Sequence, residues 1–86
     1  MAIYRVIVKP SADKALQRLP ADVQRRIVAV LKELAITPRP HGVVKMKGAD
    51  HLWRVRTGVY RIVYEIHDAQ IVILVLRIGH RREVYD

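Results

Sequence analysis

The 86-residue chain has no cysteine. That excludes disulfide cross-links and every zinc site built on thiolates. No apolar run approaches the ~18 residues of a membrane span. The opening MAIYRVIVKP alternates like a strand and lacks the layout of a signal peptide. A soluble, cytoplasmic protein without membrane association is the expectation. There is no Gly-rich phosphate loop, no ordered Ser-His-Asp set and no pair of acids placed for general acid–base work. His41, His51 and His67 show no metal-ligand spacing and read as surface residues. No metal ion or other cofactor is expected. Acid is scarce too: eight Asp and Glu face sixteen Lys and Arg, for a net charge of +8 and a pI near 10.5.

So large an excess on so small a body attracts polyanions. Its distribution is uneven. Across Ala12–Leu34 the signs mix, whereas from Lys45 to Arg61 five cations (Lys45, Lys47, Arg54, Arg56 and Arg61) meet one acid, Asp50. Nucleic acid, or an acidic protein, is the leading class of partner. The length fits one domain, residues 1–86, burying about 60% of its unfolded surface.

The element order follows from periodicity and breakers. Ala2–Lys9 reads as a strand ended by Pro10. Ser11 is placed to N-cap a short helix, with Asp13 in its first turn. Pro20 suits the first position of a second helix, in which Val23, Ile27, Val30, Leu31 and Leu34 form one apolar stripe. Pro38 and Pro40 end it. PRPHGVVKMKGAD reads as a loop. His51–Arg56, Val59–Ile66 and Ile71–Ile78 read as strands, separated by Thr57-Gly58 and by His67–Gln70. The predicted fold class is α+β. Two N-terminal helices pack on one face of a mostly antiparallel sheet, in the order β-α-α-β-β-β. The aliphatic run Ile71–Leu76 is expected to be buried on both faces.

If Thr57-Gly58 is a two-residue turn, Arg54 lies opposite Arg61. Trp53, Val55, Tyr60, Ile62 and Tyr64 then share one face, with Arg54, Arg56 and Arg61 on the other. Like charges directly opposite are destabilising, and an anion would relieve them. Spacing alone leaves two readings open: solvated arginines on an open face, or a face that holds phosphate. Beyond the last strand come His80, Arg81, Arg82 and Tyr85, with Glu65 and Glu83 as candidate ion-pair partners for the arginines.

Three stretches together carry a family resemblance. YRVIVKPSADKALQRLP, KMKGADHLWRVRTGVYRIVYEI and VLRIGHRREVYD resemble the first strand and helix, the central signature and the closing motif of RelE-type toxins. These belong to bacterial and archaeal type II toxin–antitoxin pairs, within the wider RelE/ParE superfamily. The resemblance spans nearly the whole chain. It implies a RelE-like fold and a ribosome-dependent, metal-independent endoribonuclease (an mRNA interferase) acting on messenger RNA in the ribosomal A site. It also implies inhibition by a cognate RelB-like antitoxin in a hetero-oligomer. Arg54 and Arg56 stand where the family has paired basic strand residues, and Lys45 and Lys47 match a basic approach to that strand. Arg61 falls in the "YR" motif and Tyr85 in the terminal "EVY". Arg81 matches the C-terminal catalytic arginine, with Arg82 as the alternative.

Such cleavage has the ribose 2′-OH attack the adjacent phosphorus, leaving a cyclic phosphate and a 5′-OH. It needs a base, an acid and stabilisation of the phosphorane. Arginine stays protonated and cannot be the base, but it can clamp phosphate oxygens. Tyr85, whose phenolate neighbouring cations would favour, is the candidate base, and His80 the competing acid or base. A ParE-like toxin inhibiting DNA gyrase and a non-catalytic RNA-binding module are the alternatives.

Overall fold

The computed structural model describes residues 3–48 and 51–80. In chain order these form β1 (Arg5–Val8), α1 (Pro10–Gln17), α2 (Ala21–Ile36), β2 (Val44–Lys45), β3 (Leu52–Thr57), β4 (Tyr60–His67) and β5 (Val72–His80). The sheet order is β1-β5-β4-β3-β2. β1 runs parallel to β5 and every other neighbouring pair is antiparallel, so the sheet is mixed. The two-residue β2 lies inside the stretch expected to be a loop. Two residues are too few for alternation to show, and only their pairing with Arg54 and Trp53 defines them as an edge strand.

Pro10 both ends β1 and starts α1. Lys9, not Ser11, is the N-cap residue, because proline's fixed φ and missing N–H suit the first helical position. Pro20 occupies the N-cap of α2 itself. The amide of Gln24 donates to the carbonyls of Leu19 at 2.8 Å and Gln17 at 3.1 Å, satisfying acceptors left at the end of α1. α1 buries Ala12 and Leu16, one turn apart, and α2 buries Val23, Ile27, Leu31 and Leu34. These meet Val55, Ile62, Tyr64, Ile66, Ile73, Val75 and Ile78 in one core. Full burial of each large aliphatic contributes roughly 1.5–3 kcal/mol. Among the described residues, no helix is long and apolar enough to cross a membrane.

Two details of the sheet decide where side chains point. The first is the β3–β4 turn. Thr57 pairs with Tyr60, so the turn residues are Gly58 and Val59, and Arg61 lies opposite Arg56 instead of Arg54. Gly58 has φ of +61°. A tight hairpin wants positive φ at its first central position, which glycine adopts freely and β-branched Thr57 resists. The slip from the predicted register is two residues, so the predicted division of faces survives.

The second is a bulge in β5. Val63 pairs with Arg77 but Tyr64 pairs with Val75, leaving Leu76 as the extra residue. Ile73 and Val75 face the helices; past the bulge, Ile78 and His80 do, while Arg77 and Gly79 turn to the opposite face. The aliphatic run is therefore buried on one side only. Ile73 and Val75 are fully buried, Val72, Leu74 and Leu76 are half-buried, and Ile71 is exposed.

Candidate nucleic-acid interface

The face of the sheet away from the helices carries two rows of residues across β3, β4 and β5. One row is Arg56, Arg61 and Gly79; the next is Arg54, Val63 and Arg77. Residues opposite one another in neighbouring strands have Cβ atoms about 4.5–5.5 Å apart. Rows two residues apart along a strand are separated by roughly 6.6 Å. Four guanidinium groups thus occupy a patch only three strands wide.

Their settings differ. Arg61 is only 8% exposed, although neither α1 nor α2 covers this face. Arg54 is half-buried; Arg56 and Arg77 are exposed. Gly79, opposite Arg61 on β5, offers no side chain of its own. The carboxylate that pairing places on this face, Glu65, accepts a 2.8 Å contact from His67. That arrangement differs from the expected Glu65–arginine pair. Planar guanidinium groups on adjacent strands can grip phosphate oxygens bidentately.

The predicted site residues divide three ways. Arg54, Arg56 and Arg61 come together on one face. Lys45 pairs with Trp53 at the sheet edge and Lys47 lies in the turn after β2; both are exposed, and neither is aligned with the arginine rows. His80 pairs with Tyr60 on the helix side, their rings edge to face with centroids 6.0 Å apart. The register therefore does not bring His80 to the arginines. Arg81, Arg82, Glu83 and Tyr85 lie outside the described residues. Sequence reasoning missed Arg77. Strict alternation from Ile73 and Val75 would bury it under the helices, and that conflict was the available sign of a bulge. Among the described residues, no group of three or more His, Asp or Glu could hold a metal ion.

The other end of the sheet is built differently. Arg39, in the loop after α2, donates to Asp68 Oδ2 at 2.8 Å and lies over the Trp53 ring, 5.1 Å from its centroid. The Tyr4 hydroxyl donates to Asp68 Oδ1 at 2.6 Å. The hydrogen bond from Arg39, then that from Tyr4, draws the Asp68 carboxyl down to about 2, and the same bond raises the Tyr4 phenol. The Tyr64 hydroxyl donates to the Pro38 carbonyl at 2.8 Å, and burial pushes its phenol up to about 12. None of these contacts was foreseen. Arg39 and Asp68 are 29 residues apart, and no local pattern joins them.

The family described as the ParE toxin of type II toxin–antitoxin systems matches residues 6–85. The RelE of an archaeal RelE–RelB complex from Pyrococcus horikoshii superposes with a TM-score of 0.83. It is 33% identical, over 92% of this chain and 96% of that one. The toxin–antitoxin complex RelBE2 from Mycobacterium tuberculosis gives a TM-score of 0.78 at 26% identity, over 92% and 99%. Toxin RelE3 of Methanocaldococcus jannaschii is 27% identical over 95% of this chain and 96% of its own.

Proposed function

The chain belongs to the ParE/RelE family of type II toxin–antitoxin toxins, and from that premise we propose that it is a ribosome-dependent messenger-RNA endoribonuclease. Its activity is metal-independent and held in check by a RelB-like antitoxin. The supporting observation is the convergence of Arg54, Arg56 and Arg61 on the face turned away from α1 and α2, with Arg56 directly opposite Arg61. Several of the structural relatives were determined with a RelB partner. By that likeness, a RelB-like antitoxin occupies the basic face.

In the reaction, the strand arginines hold the scissile phosphate in line for attack by the adjacent 2′-OH. Arg61 and Arg81 neutralise charge on the phosphorane, with Arg82 the alternative to Arg81. Tyr85 takes the 2′ proton as phenolate, and as the P–O5′ bond breaks the departing 5′ oxygen takes a proton from water. Arginine cannot serve there, being protonated at every biological pH. His80, on the helix side, is the poorer-placed base.

The test is to induce wild-type, Arg61→Ala and Tyr85→Phe chains without antitoxin and map RNA 5′-OH ends. Wild type produces new ends in translated messages and arrests growth. Arg61→Ala, correctly folded, loses both, a drop of at least 100-fold of the kind that follows removal of a transition-state charge stabiliser. Tyr85→Phe slows cleavage and leaves RNA affinity intact; an unchanged rate removes Tyr85 as the base. Growth arrest by wild type with no new 5′-OH ends would instead support a ParE-like action on gyrase.

A further inference from the structure

We infer that Arg77 completes a second phosphate-binding row, which grips the substrate strand at a phosphate next to the scissile one. This deepens the ribonuclease reading and rests on it. Arg77 is a binding residue here, with no part in proton transfer.

The placement comes from the bulge. Without the extra residue at Leu76, Arg77 would follow Ile73 and Val75 to the helix side. With it, Arg77 stands across from Val63, which in turn stands across from Arg54. The two arginines thus flank one apolar residue from the strands on either side of it. Their backbones are roughly 9–10 Å apart, twice the spacing between neighbouring strands. Val63 is short beside the two arginines and is itself 4% exposed. Two long side chains can then reach toward a common anion above it.

Spacing fixes what that anion is. The Arg54/Arg77 row lies roughly 6.6 Å along the strands from the Arg56/Arg61 row. A step of that size is comparable with the distance between successive phosphates of an extended nucleic-acid chain. A single bound phosphate would use one row and leave the other without function. A strand lying along β4 uses both, one phosphate per row. Bulges commonly re-aim a side chain beside a functional site, and this one delivers a cation to the face turned away from α1 and α2.

The experiment measures binding of a short single-stranded RNA carrying a 2′-deoxy sugar at the attacking position, so that it is not cleaved. Affinities are taken between 50 and 200 mM salt for wild type, Arg77→Gln, Arg77→Lys and Arg61→Ala. Losing one phosphate contact reduces the slope of log affinity against log salt by about 0.7, so the defect is about 2.6-fold larger at 50 than at 200 mM. Arg77→Gln shows that reduction and Arg77→Lys largely restores the slope, which a merely structural role would not do. Two further RNAs each carry one neutral methylphosphonate, on the 5′ or the 3′ side of the protected linkage. With one of them, Arg77→Gln causes no additional loss.

If Arg77→Gln keeps the wild-type slope while Arg61→Ala does not, the second row is wrong and the ribonuclease reading stands. If the losses from Arg77→Gln and from both methylphosphonates multiply, Arg77 contacts phosphate elsewhere, as in ribosomal RNA, and the inference fails. Absence of new 5′-OH ends in cells is the separate result that overturns the ribonuclease reading itself.

Discussion

The two ends of the sheet treat arginine in opposite ways. At the β4–β5 turn, Arg39 meets a carboxylate, an aromatic face and, through Asp68, the Tyr4 hydroxyl. Toward the β3–β4 turn, Arg61 meets Arg56 across the ladder and a glycine on its other side. One end pairs a cation with a carboxylate from a distant segment. The other brings arginines of neighbouring strands side by side on one face. Arginine at the first end ties a loop to a turn; at the second the ladder itself sets the arginines together.

The largest effect should come from making the second end resemble the first. Arg56→Glu places a carboxylate opposite Arg61. It should weaken RNA binding about tenfold or more, as a phosphate contact is replaced by repulsion. Wild-type RNA affinity in that variant would break the contrast. A smaller effect is expected from Tyr64→Phe, which removes the hydrogen bond to Pro38 and leaves the ring. The cost is about 1 kcal/mol, or roughly 4–8 °C in thermal midpoint for a domain of this size. RNA affinity should stay unchanged, and a matching loss of binding would show that the two ends are coupled.

The smallest effect is pH-dependent. The folded state holds the Asp68 carboxyl at about 2, below its ordinary value of 3.8. Its contribution is present above the ordinary value and is lost as pH falls toward 2. Asp68→Asn should lower the thermal midpoint modestly at pH 7 and flatten the decline between pH 4 and 2. An unchanged acid profile would mean that the contacts around Asp68 add nothing to stability. Tyr64 acts at the other extreme: its raised phenol favours folding below pH 10, and that contribution fades as pH climbs toward 12.

Much of this was legible in the sequence, for identifiable reasons. The stripe through Val23, Ile27, Leu31 and Leu34 fixed the packed side of α2. The division of Trp53, Val55, Ile62 and Tyr64 from Arg54, Arg56 and Arg61 survived a misplaced turn, because a two-residue slip preserves parity. The cross-strand partner did not survive it, and Arg56 took the place given to Arg54. The bulge at Leu76 was marked only by the cation that strict alternation would bury at Arg77, and the aliphatics around it gave no position for it. β2 is defined by its pairing alone. The contacts among Tyr4, Arg39 and Asp68 join segments far apart in sequence, where periodicity carries no information.

The parallel pairing of β1 with β5 has a consequence for how the protein is made. Among the described residues β1 pairs only with β5, and β5 follows the other four strands in chain order. While a ribosome is still extending the chain toward Val72, the first strand has no ladder to join. Arg77 and Gly79 have not yet been added beside Val63 and Arg61. Closing so long a loop is among the slower routes to a native sheet. The nascent chain therefore remains without its assembled basic face until β5 has been made and has joined the sheet.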